Sequence, residues 1–182
     1  MRISILTMTI LSATILSPFI SFAKPFSYSQ GDQKFEGSYF PAAKKNSPAI
    51  VLIHNWMGVT AESEKQAQRF QKLGYNVFVA DIYGAGIRPK DAKEAGQLAG
   101  KYKGDRKLLR DRIKLAIDEV VKMKDVSKDK VAVLGYCFGG TAAIEAARAG
   151  YPIKAAISFH GGLDSPTPED GANIKGKVLA LH

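Results

Sequence analysis

Between Phe26 and Phe40 the apolar positions alternate: Phe26, Tyr28, then Phe35, Gly37 and Tyr39 past Gln30-Gly31-Asp32. Alternation around a glycine turn predicts an antiparallel hairpin at a sheet edge. The pattern then changes. Residues 49–53, 77–80, 131–134 and 154–159 are short runs, apolar throughout or nearly so, as expected of strands covered on both faces. A last strand is expected over 177–182. Helices are predicted between them. Thr60 caps one running to Leu73, with Glu62 and Glu64 in its first turn and Gly74 as terminator. Another, over 105–123, places Leu109, Ile113, Ala116 and Val120 on one face. Residues 85–104 are glycine-rich and charged, and read as only partly helical. Strands alternating with helices predict an α/β fold with a doubly wound, mostly parallel sheet.

One stretch organises the rest. Gly135-Tyr136-Cys137-Phe138-Gly139-Gly140 stands between the run 131–134 and the small-residue run 141–147, which stops at Gly150. Strand, glycine-flanked turn and helix form the setting of a nucleophile elbow. The turn strains its central residue, so its neighbours need the room that glycine leaves. Here the centre is Cys137. Helix N-termini favour the thiolate, the reactive form of a cysteine, and their free amides favour a developing oxyanion. The bland alternative is a small buried core cysteine beside a strand–helix turn. Other polar residues collect just after strand ends: His54 and Asn55, Asp81, His160 and His182. In open α/β sheets, sites lie at that edge.

Charge and the chain start refine this picture. Met1-Arg2, an apolar run to Phe22 and small residues at Ser21 and Ala23 predict a secretory signal peptide over 1–23. Residues 24–182 then form the folded domain, and the location expected is periplasmic or secreted. Pro18 and the polar interruptions argue against a membrane anchor, so no stable membrane span is expected after cleavage. The chain carries 26 Lys and Arg against 17 Asp and Glu. Residues 88–130 hold fourteen bases and eight acids, without the aromatic interleaving of a nucleic-acid site. A solvated helical face is the reading there, with no nucleic-acid partner. One cysteine permits no intramolecular disulfide; in an oxidising compartment such a thiol is either buried or functional.

Three stretches together resemble the dienelactone hydrolase family of α/β-hydrolases: His54-Asn55-Trp56-Met57-Gly58, the segment from Gly74-Tyr75 through Asp81-Ile82-Tyr83-Gly84, and the cysteine elbow. The resemblance implies that Cys137 attacks the carbonyl of an ester or lactone, giving an acyl-thioester that water hydrolyses. It implies an oxyanion hole from the backbone N–H groups of Phe138 and Trp56, and it calls for no metal and no cofactor. His54, Asn55 and His160 are expected as site walls. Two departures stand out. Asn55 occupies a position where the best-known family members carry a glutamate that interacts with the thiol. The family's catalytic aspartate and histidine lie past the strand represented here by 178–181, so a longer parent chain is expected, with the sheet incomplete at its C-terminal end. The competing reading is a non-catalytic α/β domain that binds a small molecule at the same edge. A serine-type relative with cysteine at the elbow is a third. Asp164 and Asp170 read as loop residues; Arg88 and Tyr83 lie near the site edge, where a surface charge and a packed strand-end aromatic explain them as well as a substrate contact does.

Overall fold

Strand formation follows the apolar runs. The computed structural model of the protein describes residues 23–182, so the predicted leader, but for Ala23, lies outside the described residues. The hairpin is β1 (Lys24–Gln30) and β2 (Gln33–Phe40), joined through Gly31 at φ 58°. The buried runs become β3 (Ser47–Ile53), β4 (Asn76–Ala80), β5 (Val126–Tyr136) and β6 (Ala155–Phe159), and β7 is Lys177–Leu181. Their order in one sheet is β1-β2-β4-β3-β5-β6-β7. β1 and β2 run antiparallel to each other, and β2 to β4; β4, β3, β5, β6 and β7 are mutually parallel. The architecture is thus the α/β sheet with N-terminal hairpin that the pattern predicts.

The helices are α1 (Ala61–Lys72), α2 (Ala92–Gly104), α3 (Arg106–Lys122) and α4 (Phe138–Arg148). Thr60 caps α1 in a capping box with Ser63, and the Asp91 and Asp105 carboxylates cap α2 and α3 through the N–H groups of Glu94 and Leu108. On α3, Leu109, Ile113, Ala116, Ile117 and Val120 are buried. They join Val51, Ile53, Phe78 and Val133 in the larger of two apolar layers; the other, built on Leu52, Val77, Val79 and Leu134, lies on the α1 side. Central strands buried on both faces explain why their sequence shows no alternation.

The structure differs from the sequence expectation in three places. α4 starts at Phe138, directly after the elbow residue, rather than at Thr141. β5 begins five residues earlier than its apolar run: Val126 pairs with Ser47, and pairing resumes only at Val131 with Ala49. Ser127-Lys128-Asp129-Lys130 therefore bulges from the strand, and its polarity reads as loop. The segment after β6 contains a short 3-10 turn, Pro168–Asn173. β7 is exposed along its length, with Leu179 at 51 % and Leu181 at 41 %.

Candidate active site

Cys137 sits where β5 ends and α4 begins, half-buried, with φ 55° and ψ −115°. That backbone is left-handed and costs a non-glycine residue of order 1–3 kcal/mol. Close packing enforces it. A Cβ on Gly135 would lie 2.1 Å from the Gly139 carbonyl oxygen, and one on Gly139 would lie 2.3 Å from that of Ile53. The Cys137 N–H donates to the Phe159 carbonyl at 2.9 Å, pinning the elbow to β6. The Thr141 N–H returns to the Cys137 carbonyl at 3.1 Å. The first-turn amides of Phe138, Gly139 and Gly140 precede any intrahelical acceptor, so they are donors at the sulfur's edge.

The second wall is the turn after β3, held mainly by side chains. Asn55 Oδ1 accepts from the Met57 N–H at 2.9 Å, and the Asn55 carbonyl accepts from the Gly58 N–H at 3.2 Å. The Tyr83 hydroxyl donates to the Trp56 carbonyl at 3.0 Å. Both ends of the peptide linking Trp56 to Met57 are thereby fixed, and none of these bonds uses the Trp56 N–H. Trp56 is 39 % exposed. Burial first, then Tyr102 and Cys137, holds the Tyr83 phenol well above its usual range. It therefore remains a donor at neutral pH. Sequence reasoning missed this bond; a tyrosine following the strand-end Asp81 was the only signal.

His54 lies beneath this turn rather than on an open wall, 1 % exposed. Its Nε2 accepts from the Ile82 N–H at 3.2 Å, so the proton sits on Nδ1, which donates to the Asn55 carbonyl at 2.6 Å. Burial pushes its pKa down to about 4, against smaller opposite pulls from the Asn55 carbonyl and Asp81. A neutral ring with both nitrogens engaged is a strut between β3 and β4. It packs edge-on to Tyr83 at 4.6 Å and stacks on Phe138 at 5.8 Å. Asp81 is also structural: Oδ1 accepts from the Tyr83 and Gly84 N–H groups, and Oδ2 accepts from the Glu36 N–H. Arg88, 3.6 Å from Asp81, spends its donors on the Gly84, Ile87 and Glu36 carbonyls.

His160 stands exposed after β6 at φ 42°, its ring 6.4 Å from that of Tyr136. His182 is exposed as well. Asp164 pairs with Arg106 at 3.0 Å and Asp170 with Arg110 at 2.7 Å. Those pairs belong to a network behind the elbow helix, where fully buried Glu145 holds Arg110 at 2.7 Å and Arg148 at 2.9 Å. Arg148 in turn donates to the Leu163 and Asp164 carbonyls. The sequence reading missed Glu145, whose signal is a lone acid within an alanine-rich helix, three residues before an arginine.

A profile of the dienelactone hydrolase family matches residues 35–182. The chain belongs to the dienelactone hydrolase family. Protein usf of Aquifex pyrophilus is 30% identical over 149 residues, which span 79% of this chain and 63% of that one. Carboxymethylenebutenolidase of Pseudomonas putida is 26% identical over 140 residues, 71% of this chain and 58% of the relative. Among solved structures, a dienelactone hydrolase-like promiscuous phosphotriesterase, P91, from metagenomic libraries superposes with a TM-score of 0.83. It is 30% identical, and the match covers 88% of this chain and 68% of that one. The chain thus spans somewhat under two thirds of the length of these two curated relatives.

Proposed function

We propose that this chain carries the nucleophile-bearing part of an exported hydrolase of carboxylic esters or lactones, with Cys137 as the nucleophile. Family membership and a relative named carboxymethylenebutenolidase support the bond class. The observation that carries the assignment is the strained Cys137 backbone at the head of α4, locked by Gly135 and Gly139. In the reaction, the Cys137 thiol loses its proton as its sulfur forms a bond to the substrate's carbonyl carbon, while the π pair moves onto oxygen. The Phe138 and Trp56 N–H groups receive that negative charge. Collapse of the adduct expels the alkoxide, which takes up a proton, and leaves a thioester; water then cleaves the thioester and releases the acid.

Asn55 has no titratable proton and is committed to the Met57 N–H, so it orders the oxyanion turn instead of activating the thiol. His54 is likewise committed. We assign the proton acceptor to neither of them, in keeping with the family resemblance, which implies an aspartate and a histidine past the strand represented here by 178–181. General-base help of that kind is worth about 10²–10⁴-fold.

The test is hydrolysis of a short aryl ester, a lactone and a phosphotriester by the protein, against Cys137→Ala. Loss of ester turnover with an unchanged melting curve is expected. Undiminished turnover in Cys137→Ala would remove the cysteine from the mechanism. Ligand binding without turnover in either protein would favour the non-catalytic reading. A mature N-terminus at Lys24, read by mass spectrometry of exported protein, tests the leader.

A further inference from the structure

The end of the sheet opposite Cys137 has a chemistry of its own. All five parallel strands begin there, and so does β1, because it runs parallel to β4. Lys24 opens β1, Lys44 and Lys45 follow β2, and Lys72 ends α1; all are exposed. Lys122 and Lys124 close α3, and the bulge of β5 projects Lys128 and Lys130. Lys154, Lys175 and Lys177 stand at the starts of β6 and β7, again exposed. Eleven of the chain's 26 bases therefore share this end with three of its 17 acids, Asp125, Asp129 and Glu119, the last paired with Lys122 at 2.6 Å. Asp129 is held below its usual range by the Ser127 hydroxyl first, and in part by Lys130 and Lys154, so it stays charged. Even so, it answers only a fraction of the lysines.

Two further features share this end. The turn from α1 to β4 presents Leu73, 72 % exposed, and Tyr75, 36 % exposed. Leu73 is the most exposed large apolar side chain among the described residues. The N-terminus expected after leader cleavage also lies here, at Lys24.

From these observations we infer that the lysine-bearing end of the sheet docks on an anionic lipid bilayer. The lysines meet the headgroups, Leu73 and Tyr75 enter the interface, and the Cys137 edge faces water. A charge surplus alone suits any polyanion; an exposed apolar side chain on the same end suits a surface with an apolar interior. The five-residue strands separate the two ends of the sheet by about 17 Å, so docking leaves the elbow uncovered. This inference does not rest on the hydrolase reading.

The experiment is co-sedimentation of the full chain with phosphatidylcholine vesicles, with and without roughly one third phosphatidylglycerol, at about 0.1 M salt. The neutral vesicles measure what residues 1–22 contribute alone. Binding at least tenfold tighter to the anionic vesicles is expected, falling as salt rises. Lys128→Glu/Lys130→Glu/Lys154→Glu should weaken it on the order of a hundredfold, about fivefold per lysine. Lys44→Glu/Lys45→Glu, in a separate loop, should weaken it on the order of 25-fold by the same rule, which guards against a folding defect in the triple variant. Leu73→Ser should weaken vesicle binding severalfold. Equal binding to neutral and anionic vesicles, or indifference to both sets of lysine reversals, would overturn the inference. Equally tight binding to duplex DNA, with Leu73→Ser without effect on the vesicles, would overturn it in favour of a polyanion.

Discussion

The two walls of the site are built by different means. On the elbow side the backbone does the work: β5, the turn and α4 approach so closely that Gly135 and Gly139 tolerate no Cβ. On the oxyanion-turn side, side chains do it: His54, Asn55 and Tyr83 each hold one backbone group of residues 55–57. The first wall is broken by adding a methyl group. The second is broken by removing a polar atom or moving a proton. The elbow's backbone is therefore held by packing, whereas the turn facing it carries a titratable strut.

That contrast is tested most strongly by acid. His54 is neutral in the fold with a pKa near 4, while an unfolded histidine titrates near 6.5. Between those values the unfolded chain binds the extra proton, so stability falls as pH drops from about 6.5 to 4 and is constant above. A loss on the order of 3 kcal/mol is expected across that window. His54→Gln should flatten the profile of melting temperature against pH. A profile unchanged by the substitution would mean that the turn does not depend on His54.

Adding a methyl group is the next largest change. In Gly139→Ala the new Cβ meets the Ile53 and His54 carbonyl oxygens at 2.3 and 2.7 Å, so α4 must shift. About 1–3 kcal/mol of stability should be lost, and acylation of Cys137 should slow on the order of a hundredfold. Denaturant melts and stopped-flow acylation measure the two.

Tyr83→Phe keeps the ring but frees the Trp56 carbonyl. Acylation by an ester should fall about tenfold, part of the 10²–10³-fold that a lost oxyanion donor costs. Alkylation by iodoacetamide, which develops no oxyanion, should be unchanged. A parallel fall in both rates would place the effect on the thiol instead of the turn.

The smallest predicted effect has the opposite sign. Cys137→Gly relieves the left-handed backbone at φ 55°, so it should stabilise the protein by about 1 kcal/mol while ending thioester formation. A lowered melting temperature would show that the elbow is unstrained.

Much of this was legible in the sequence, and the reasons are local. The elbow was readable because strand, glycines and helix are contiguous, and the buried strands because their apolar runs are unbroken. The Asp91–Glu94 cap begins a helix inside a segment that read as only partly helical, since its Gly96 and Gly100 weaken the periodic signal. The bonds from Tyr83 to Trp56 and from Glu145 to Arg110 and Arg148 were not readable. Two of them join residues 27 and 35 positions apart, and no periodicity links such pairs. His54 looked like a site wall because it ends a strand; its role as a buried strut depends on the Ile82 N–H across the sheet.

The most direct test is chemical capture. The protein is pulsed with p-nitrophenyl acetate, quenched in acid and digested, and its peptides are weighed. One acetyl group on the peptide containing Cys137, absent from Cys137→Ala, is the predicted result. Acetyl at other sites only, with Cys137 bare while ester is being turned over, would contradict it.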